Sequence, residues 1–290
     1  MKYAINLPPF GDFANPRALA DLARDAENAG WDGFFIWDHV FFDPSFHANL
    51  DPWVGLAAVA LATTRIRIGT MVTPVARRRP WNLARQTVSV DQLANGRLTL
   101  GVGLGDPVQW DFGFFDEETD AKRRAVRLDE GLDILTGLWR GADFAYSGMA
   151  YQMKQVRFRP TPVQQPRIPI WVGGNYPNRP PMRRAAKYDG IVPLKWGADG
   201  GLSVEDWRDT LAYIKQHRTS DTPFDAVHGG TSGSDPQADT RRIHDLAEVG
   251  VTWWAEAVDP WRYGQDWEAQ WQPELSKKMQ ERVSQGPPKG

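Results

Sequence analysis

Ile66-Arg-Ile-Gly-Thr-Met-Val72 is an apolar, β-branched run that leads through a helix-like stretch and the turn Asn95-Gly96 into a second such run, Leu98-Thr-Leu-Gly-Val102. In isolation Asn-Gly would favour a hairpin, but the helical pattern before it indicates a helix-to-strand turn. A strand, a helix and another strand in this order predict parallel strands, because the helix returns the chain to the start of the sheet.

The same alternation extends over the whole chain and yields eight candidate strands. They are Tyr3–Leu7, Phe34–Trp37, Ile66–Val72, Leu98–Val102, Ile168–Val172, Ile191–Leu194, Phe224–Val227 and Thr252–Ala255. Eight units of about 36 residues each fit an α/β fold, the (β/α)8 TIM barrel. In that fold the chemistry lies in the loops that follow the strands.

The domain organisation predicted from the sequence is one barrel domain over residues 1–284 and a frayed tail over 285–290. Phe144–Tyr146 and Tyr151–Met153 flank Ser147-Gly148 and predict a short hairpin. We interpret it as a small insertion between the fourth helix and the fifth strand, because it is too short to bury a core of its own.

Composition excludes several classes of function. The chain is 41% hydrophobic and 24% charged with a net charge of −2, which gives no electrostatic case for nucleic acid. No apolar run reaches the roughly 20 residues of a membrane span. Cysteine is absent, which excludes disulfides and thiolate sites. Because the N-terminus enters a strand at once, we expect no signal peptide. The absence of cysteine fits a cytoplasmic location, which we expect.

Two titratable residues follow predicted strands. His39 comes after the second strand, where an imidazole is suited to acid–base chemistry; a structural, hydrogen-bonded histidine is the alternative. Asp106 follows the fourth strand, where a desolvated carboxyl could act as an acid; a plain loop aspartate or a helix cap is the alternative. The five histidines lack the spacing of metal ligands, so no metal site is predicted.

Glycines and arginines mark three further strand ends. Gly101, Gly103 and Gly105 would let a planar ligand approach the backbone. Gly173-Gly174-Asn175 could form an anion-binding nest of backbone N–H groups. Arg77-Arg78-Arg79 is open to two interpretations, an anion site or a solvated loop or subunit contact.

Several of these stretches together resemble the bacterial luciferase-like superfamily of flavin- and F420-dependent oxidoreductases. The resemblance runs from Met1 to about Leu194. It is carried by Ala29–Phe34 (AGWDGF), the pair Asp38-His39, Arg65–Pro74 (RIRIGTMVTP), Arg77–Thr87 (RRRPWNLARQT), Asp91–Gly105 (DQLANGRLTLGVGLG) and Ile170–Gly174 (IWVGG).

The resemblance implies a barrel that binds a reduced flavin or deazaflavin at its C-terminal mouth. It implies His39 as base or proton relay and Asp106 as an acid near the ring nitrogen. The segment around Met71-Val72 is expected to pack against the ring and to contain a non-proline cis peptide. The residues implied in cofactor binding are Asp38, Thr70, Met71, Val72, Gly103, Leu104, Gly105, Gly173, Gly174 and Asn175.

The cofactor implied is coenzyme F420, used for hydride transfer to or from a small organic substrate. The alternatives are an FMN-dependent monooxygenase with a reductase partner and a non-catalytic flavin-binding protein. A homodimer is expected from the resemblance. Phe41, Phe42 and Asp43 stand where the sugar-phosphate branch has a tryptophan, and the usual phosphate loop is replaced after Gly174. We therefore expect an apolar substrate, faced by Phe41, Phe42 and Phe46, and not a phosphorylated sugar.

Overall fold

The computed structural model describes residues 1–44, 48–197, 201–264 and 271–288. Its core is a closed barrel of eight parallel strands in the spatial order β1-β10-β9-β8-β7-β4-β3-β2. The barrel strands are β1 (Lys2–Leu7), β2 (Gly33–Ile36), β3 (Arg67–Pro74), β4 (Leu98–Gly103), β7 (Ile170–Asn175), β8 (Gly190–Leu194), β9 (Asp225–Gly230) and β10 (Trp253–Ala257). The two remaining strands, β5 (Asp143–Ser147) and β6 (Gln152–Arg157), pair with each other in antiparallel fashion.

Helices cover the outside of the barrel between the strands. They are α1 (Pro16–Asn28), α2 (Pro52–Ala62), α3 (Pro80–Leu93), the single turn α4 (Val108–Asp111), α5 (Ala121–Trp139), α6 (Arg179–Ala185), α7 (Val204–His217), α8 (Pro236–Glu248) and α9 (Pro273–Ser284). Short 3-10 turns lie at Gly11–Ala14, Val75–Arg77, Gly113–Phe115 and Pro260–Tyr263.

Helix α1 and helix α2 begin as their sequences predict. The Asn15 and Asp51 side chains accept hydrogen bonds from backbone N–H groups of the first turn, and a proline occupies the first position of each helix. Such caps satisfy donors that have no partner within the helix. The predicted barrel is confirmed, with every predicted strand overlapping an observed one.

Aromatic rings fill the lower part of the barrel interior. Phe35 stacks on Trp171 with ring centroids 4.9 Å apart, and Trp253 meets Trp171 edge-on at 5.3 Å. Both indole N–H groups donate to the Asp225 carboxylate, at 3.1 and 2.9 Å. The rings bury their apolar surface, and the carboxylate satisfies donors that would otherwise be costly to bury.

The C-terminal segment packs against the helical layer up to Gly286, which is buried and whose carbonyl accepts from Arg282 at 2.7 Å. Residues 289–290 lie outside the described part, and the division into a domain and a tail stays a prediction. Among the residues that the structure describes, no helix is long and apolar enough to cross a bilayer.

Candidate functional site

His39 and Asp106 lie at the same rim of the barrel, beyond the C-terminal ends of β2 and β4. They are close enough for the Asp106 charge to act on the imidazole. The His39 ring is 10% exposed, whereas Asp106 is exposed. The desolvation on which the expectation of an acid at Asp106 rested is therefore absent. The catalytic roles of both residues stay predictions.

Asp38 is buried beneath the rim, and both of its carboxylate oxygens accept hydrogen bonds from protein donors. Its carboxylate accepts from Arg77 at 2.6 Å, from Arg78 at 2.7 and 3.0 Å, and from the Thr73 hydroxyl at 2.8 Å. Burial alone would raise the pKa of Asp38, but Arg78 and Arg77 lower it below its ordinary value. The residue thus acts on the site through these neighbours.

Two members of the arginine run have a protein carboxylate as partner, so they are neither solvated nor free to hold an external anion; a subunit contact stays a prediction. The Arg77 and Arg78 side chains are 5% and 15% exposed and form ion pairs with Asp38. Only Arg79, at the start of α3, is exposed. A buried carboxylate explains the run, and it lies about 40 residues earlier in the chain.

Asp111, which the sequence interpretation missed, completes this network. It forms an ion pair with Arg77, and its other oxygen accepts from the backbone N–H groups of Val40 and Phe41, at 2.7 and 3.2 Å. It also lies 3.4 Å from His39 Nδ1. No local sequence signal identifies it, because the helical turn that carries it has no motif of its own.

His39 is neutral at physiological pH. Burial, followed by the positive charge of Arg77, lowers its pKa to about 3, against the opposing effects of Asp38 and Asp106. Asp111 does not reverse this, because Arg77 and two backbone N–H groups already occupy its oxygens. Nδ1 is buried and makes no hydrogen bond.

This pKa predicts an acid-sensitive contribution to stability. An unfolded histidine titrates near pH 6.5, so unfolding takes up a proton between about pH 3 and about pH 6.5. The stability that a neutral His39 provides is complete above this range and is lost as the pH falls through it. Urea unfolding should show the wild type losing up to about 1.4 kcal/mol per pH unit more than His39→Gln; parallel pH profiles would contradict this.

The predicted non-proline cis peptide is confirmed between Met71 and Val72, where the β3–β4 register shifts between Thr70 and Thr73. The neighbouring glycines accommodate this bulge. A Cβ on Gly101 would lie 2.1 Å from the Thr70 carbonyl oxygen, and one on Gly103 would lie 2.7 Å from a Val72 methyl. The spacing of these glycines is therefore explained by contact with β3, whereas the sequence interpretation assigned the space to a planar ligand.

Gly229 differs, because an added Cβ there would meet no described atom within 4 Å. It lies on β9 on the same strand face as Val227, which belongs to the interior cluster with Met71 and Ala255. The described residues therefore leave the barrel interior unfilled above this cluster, on the side of β9 and β10.

Gly101 and Gly229 form a matched pair for mutation. Gly101→Ala should lower the free energy of unfolding by about 1–3 kcal/mol, because the methyl group collides with backbone. Gly229→Ala should change it by less than about 0.5 kcal/mol but weaken cofactor binding. Urea unfolding and a ligand titration measure the two effects. Equal destabilisation by both variants would contradict the assignment of open space to Gly229.

The loop after β4 is held from below by Arg124, whose guanidinium donates to the carbonyls of Leu104 and Gly105 at 2.8 and 3.0 Å. Gly105 has φ +86°, and a Cβ there would press on Phe112 and Pro74. The loop is thus fixed immediately before Asp106, and a residue with a side chain would be strained at Gly105.

Gly173, Gly174 and Asn175 belong to β7, where they pair with β8. The segment is therefore the end of a strand and does not form the nest that the sequence predicted. The loop begins at Tyr176. A Cβ on Gly174 would lie 2.4 Å from Pro181, so this glycine lets α6 approach the strand. Whether the segment contacts a cofactor stays a prediction.

Aromatic side chains line the part of the rim next to His39. Trp37 stacks on Trp261 at 5.8 Å with an interplanar angle of 9°, and Phe42 lies 4.9 Å from the His39 ring. The indole N–H of Trp37 donates to Asn6 at 2.9 Å. Phe41, next in sequence, stacks on the exposed Phe114. Phe46, also expected here, lies outside the described residues.

Glu256, which directly follows the eighth predicted strand, does not line the mouth. It is fully buried and forms ion pairs with Arg262 and with Arg282 of α9. In the ranges that the structure describes, no cluster of three histidine, aspartate or glutamate side chains could hold a metal ion.

Residues 3–272 match the family described as luciferase-like monooxygenase, and this chain belongs to that family. The F420-dependent glucose-6-phosphate dehydrogenase of Microbacterium testaceum (strain StLB037) is 32% identical over 166 residues, which are 56% of this chain and 48% of that protein. The chain thus spans about half the length of the curated relatives it matches.

Two solved structures share the fold over 98% of both chains. They are the coenzyme F420 dependent tetrahydromethanopterin reductase from Methanopyrus kandleri, with a TM-score of 0.73 and 16% identity, and the monooxygenase RslO1 from Streptomyces bottropensis, with a TM-score of 0.71 and 19% identity. At these identities the likeness concerns the fold alone.

Proposed function

We propose that this protein is an F420-dependent oxidoreductase that transfers hydride between the deazaflavin and a small organic substrate with an apolar face. The observation that carries the proposal is a neutral, oriented imidazole at the rim of a barrel whose upper interior is open beside Gly229. The relatives named for F420 support the choice of cofactor.

The described residues fit a flat tricyclic ring. Met71, Val72 and Val192 form an apolar floor above the packed barrel interior. No described atom fills the space above Gly229. When bound, the deazaflavin would supply hydride transfer; the backbone of Leu104 and Gly105 and the floor residues would hold it.

His39 would manage the proton that accompanies the hydride. Its neutral ring can accept a proton from a substrate hydroxyl, or return one to a carbonyl, while the hydride crosses to or from the cofactor. Arg77 disfavours the charged imidazolium, and the exposed Asp106 carboxylate favours it. Burial, followed by Arg77, outweighs the Asp38 and Asp106 carboxylates and lowers the pKa of His39, so the ring would hold the proton only transiently.

The rim supports an apolar substrate over a phosphorylated one. Arg77 and Arg78 are occupied by Asp38, Lys195 donates to Asp206 at 2.7 Å, and Arg262 pairs with Glu256. These rim cations already have carboxylate partners. The partly exposed aromatic surface of Trp37 and Trp261, backed by the buried Phe42, then offers the larger contact for substrate.

Titration of the protein with F420 and with FMN tests the cofactor, using quenching of the tryptophan fluorescence. We expect saturable quenching by F420, weakened by Trp37→Phe but not by Trp139→Phe, since Trp139 is buried against Thr87 away from the rim. Oxygen consumption with reduced FMN, without F420 turnover, would instead establish the monooxygenase.

A further inference from the structure

The geometry points to Arg77 and Asp111 as positioning residues that set the orientation of His39. The inference rests on the proposed function, in which His39 handles the substrate proton. It assigns a positioning role to two residues whose side chains are buried beneath the rim.

The main chain is held on both sides of the histidine by this pair. Arg77 Nη2 donates to the carbonyl of Asp38 at 3.1 Å, immediately before His39. Asp111 accepts from the N–H groups of Val40 and Phe41, immediately after it. The carbonyl of His39 itself accepts from Asn49 at 2.9 Å. Four consecutive residues of a strand-end loop are thereby fixed without a regular element.

Arg77 and Asp111 form a clamp around the main chain of His39, and an ion pair joins the two residues. Arg77 comes from the turn after β3, Asp111 from the end of α4, and their side chains are 5% and 0% exposed. One guanidinium therefore reaches the Asp38 carbonyl, the Asp38 carboxylate and the Asp111 carboxylate together. The planar fork of arginine serves these acceptors from separate nitrogens at fixed angles, whereas lysine carries its three N–H donors on one compact ammonium and cannot span the same acceptors.

The ring is confined as well as its backbone. Phe42 packs against it edge-on at 4.9 Å and Trp37 at 6.0 Å. Asp111 faces the Nδ1 edge at 3.4 Å. The charged groups around His39 are Asp38, Arg77, Asp111 and Asp106. An imidazole enclosed in this way can present only one edge to the barrel mouth.

Nuclear magnetic resonance of the cofactor-free protein with labelled histidine gives a readout independent of activity, with the His39 signals assigned through His39→Gln. Asp111→Asn keeps an oxygen for the backbone but loses the charge that holds Arg77. Arg77→Lys keeps the charge but loses the fork. Both should shift or broaden the His39 imidazole signals and lower kcat about 100-fold, with little change in cofactor affinity.

Asp189→Asn is the matched control. Asp189 pairs with Arg167 and accepts from the backbone N–H of Ile170 at 2.8 Å, before β7 and β8 at the opposite end of the barrel. It should lower stability without moving the His39 signals or kcat. Thermal unfolding establishes that each variant is folded, and Arg77→Lys carries the test if Asp111→Asn does not fold.

Unchanged His39 signals in folded variants, or an equal loss of kcat in Asp189→Asn, would overturn the inference. If His39→Gln keeps full turnover while the His39 signals still respond to Asp111→Asn, the positioning stands and the proposed function fails. If turnover depends on His39 but the signals do not respond, only the positioning fails.

Discussion

His39→Ala is expected to lower kcat by about 10²- to 10⁴-fold, the range for loss of a positioned acid–base group. Cofactor affinity should stay nearly unchanged, because the apolar floor and the loop after β4 are independent of the imidazole. Steady-state kinetics with F420 and a substrate found by screening small alcohols and carbonyl compounds measure kcat. A fluorescence titration measures the affinity.

The control for this variant is His244→Ala, which removes a ring that is 71% exposed on α8. It should leave kcat and stability as they are. Turnover of His39→Ala equal to that of the wild type would remove His39 from the mechanism. A parallel loss of cofactor affinity and kcat would instead make the residue part of the binding surface.

Asp38→Ala is expected to lower the free energy of unfolding by about 3–5 kcal/mol, because the buried Arg78 would lose its carboxylate partner and the buried Arg77 would keep only that of Asp111. Urea unfolding measures the loss. The matched control is Asp143→Ala, which breaks the exposed pair with Arg157 and should cost less than about 1 kcal/mol. A similar small loss in both variants would show that solvent reaches the Asp38 network.

The barrel could be predicted from the sequence because its signal is repeated. Each barrel strand is an apolar run, several helices, among them α1, α7 and α8, have an amphipathic stretch, and caps such as Asn15 and Asp51 mark boundaries. The hairpin before β7 gave a similar local signal. Such elements can be predicted from their local sequence, without knowing which distant residues they contact.

The electrostatics of the site could not be predicted, because they depend on pairs far apart in the chain. Arg77 and Arg78 look solvated until Asp38 is placed beside them, and Asp111 has no signal at all until the chain folds. The glycines of β4 are a different case. Their spacing is informative, because a Cβ at Gly101 or Gly103 would meet the Thr70 carbonyl or Val72 of the neighbouring strand, and contact of this segment with a planar ligand stays a prediction.

The aromatic rings of Phe35, Trp171 and Trp253, with the Asp225 carboxylate that they share, block one end of the barrel. Two ligands that bind inside must then enter through the same opening. The one that lies deeper has to arrive first and depart last. Initial-rate measurements should accordingly show a compulsory order of binding, with the tricyclic ring as the leading ligand.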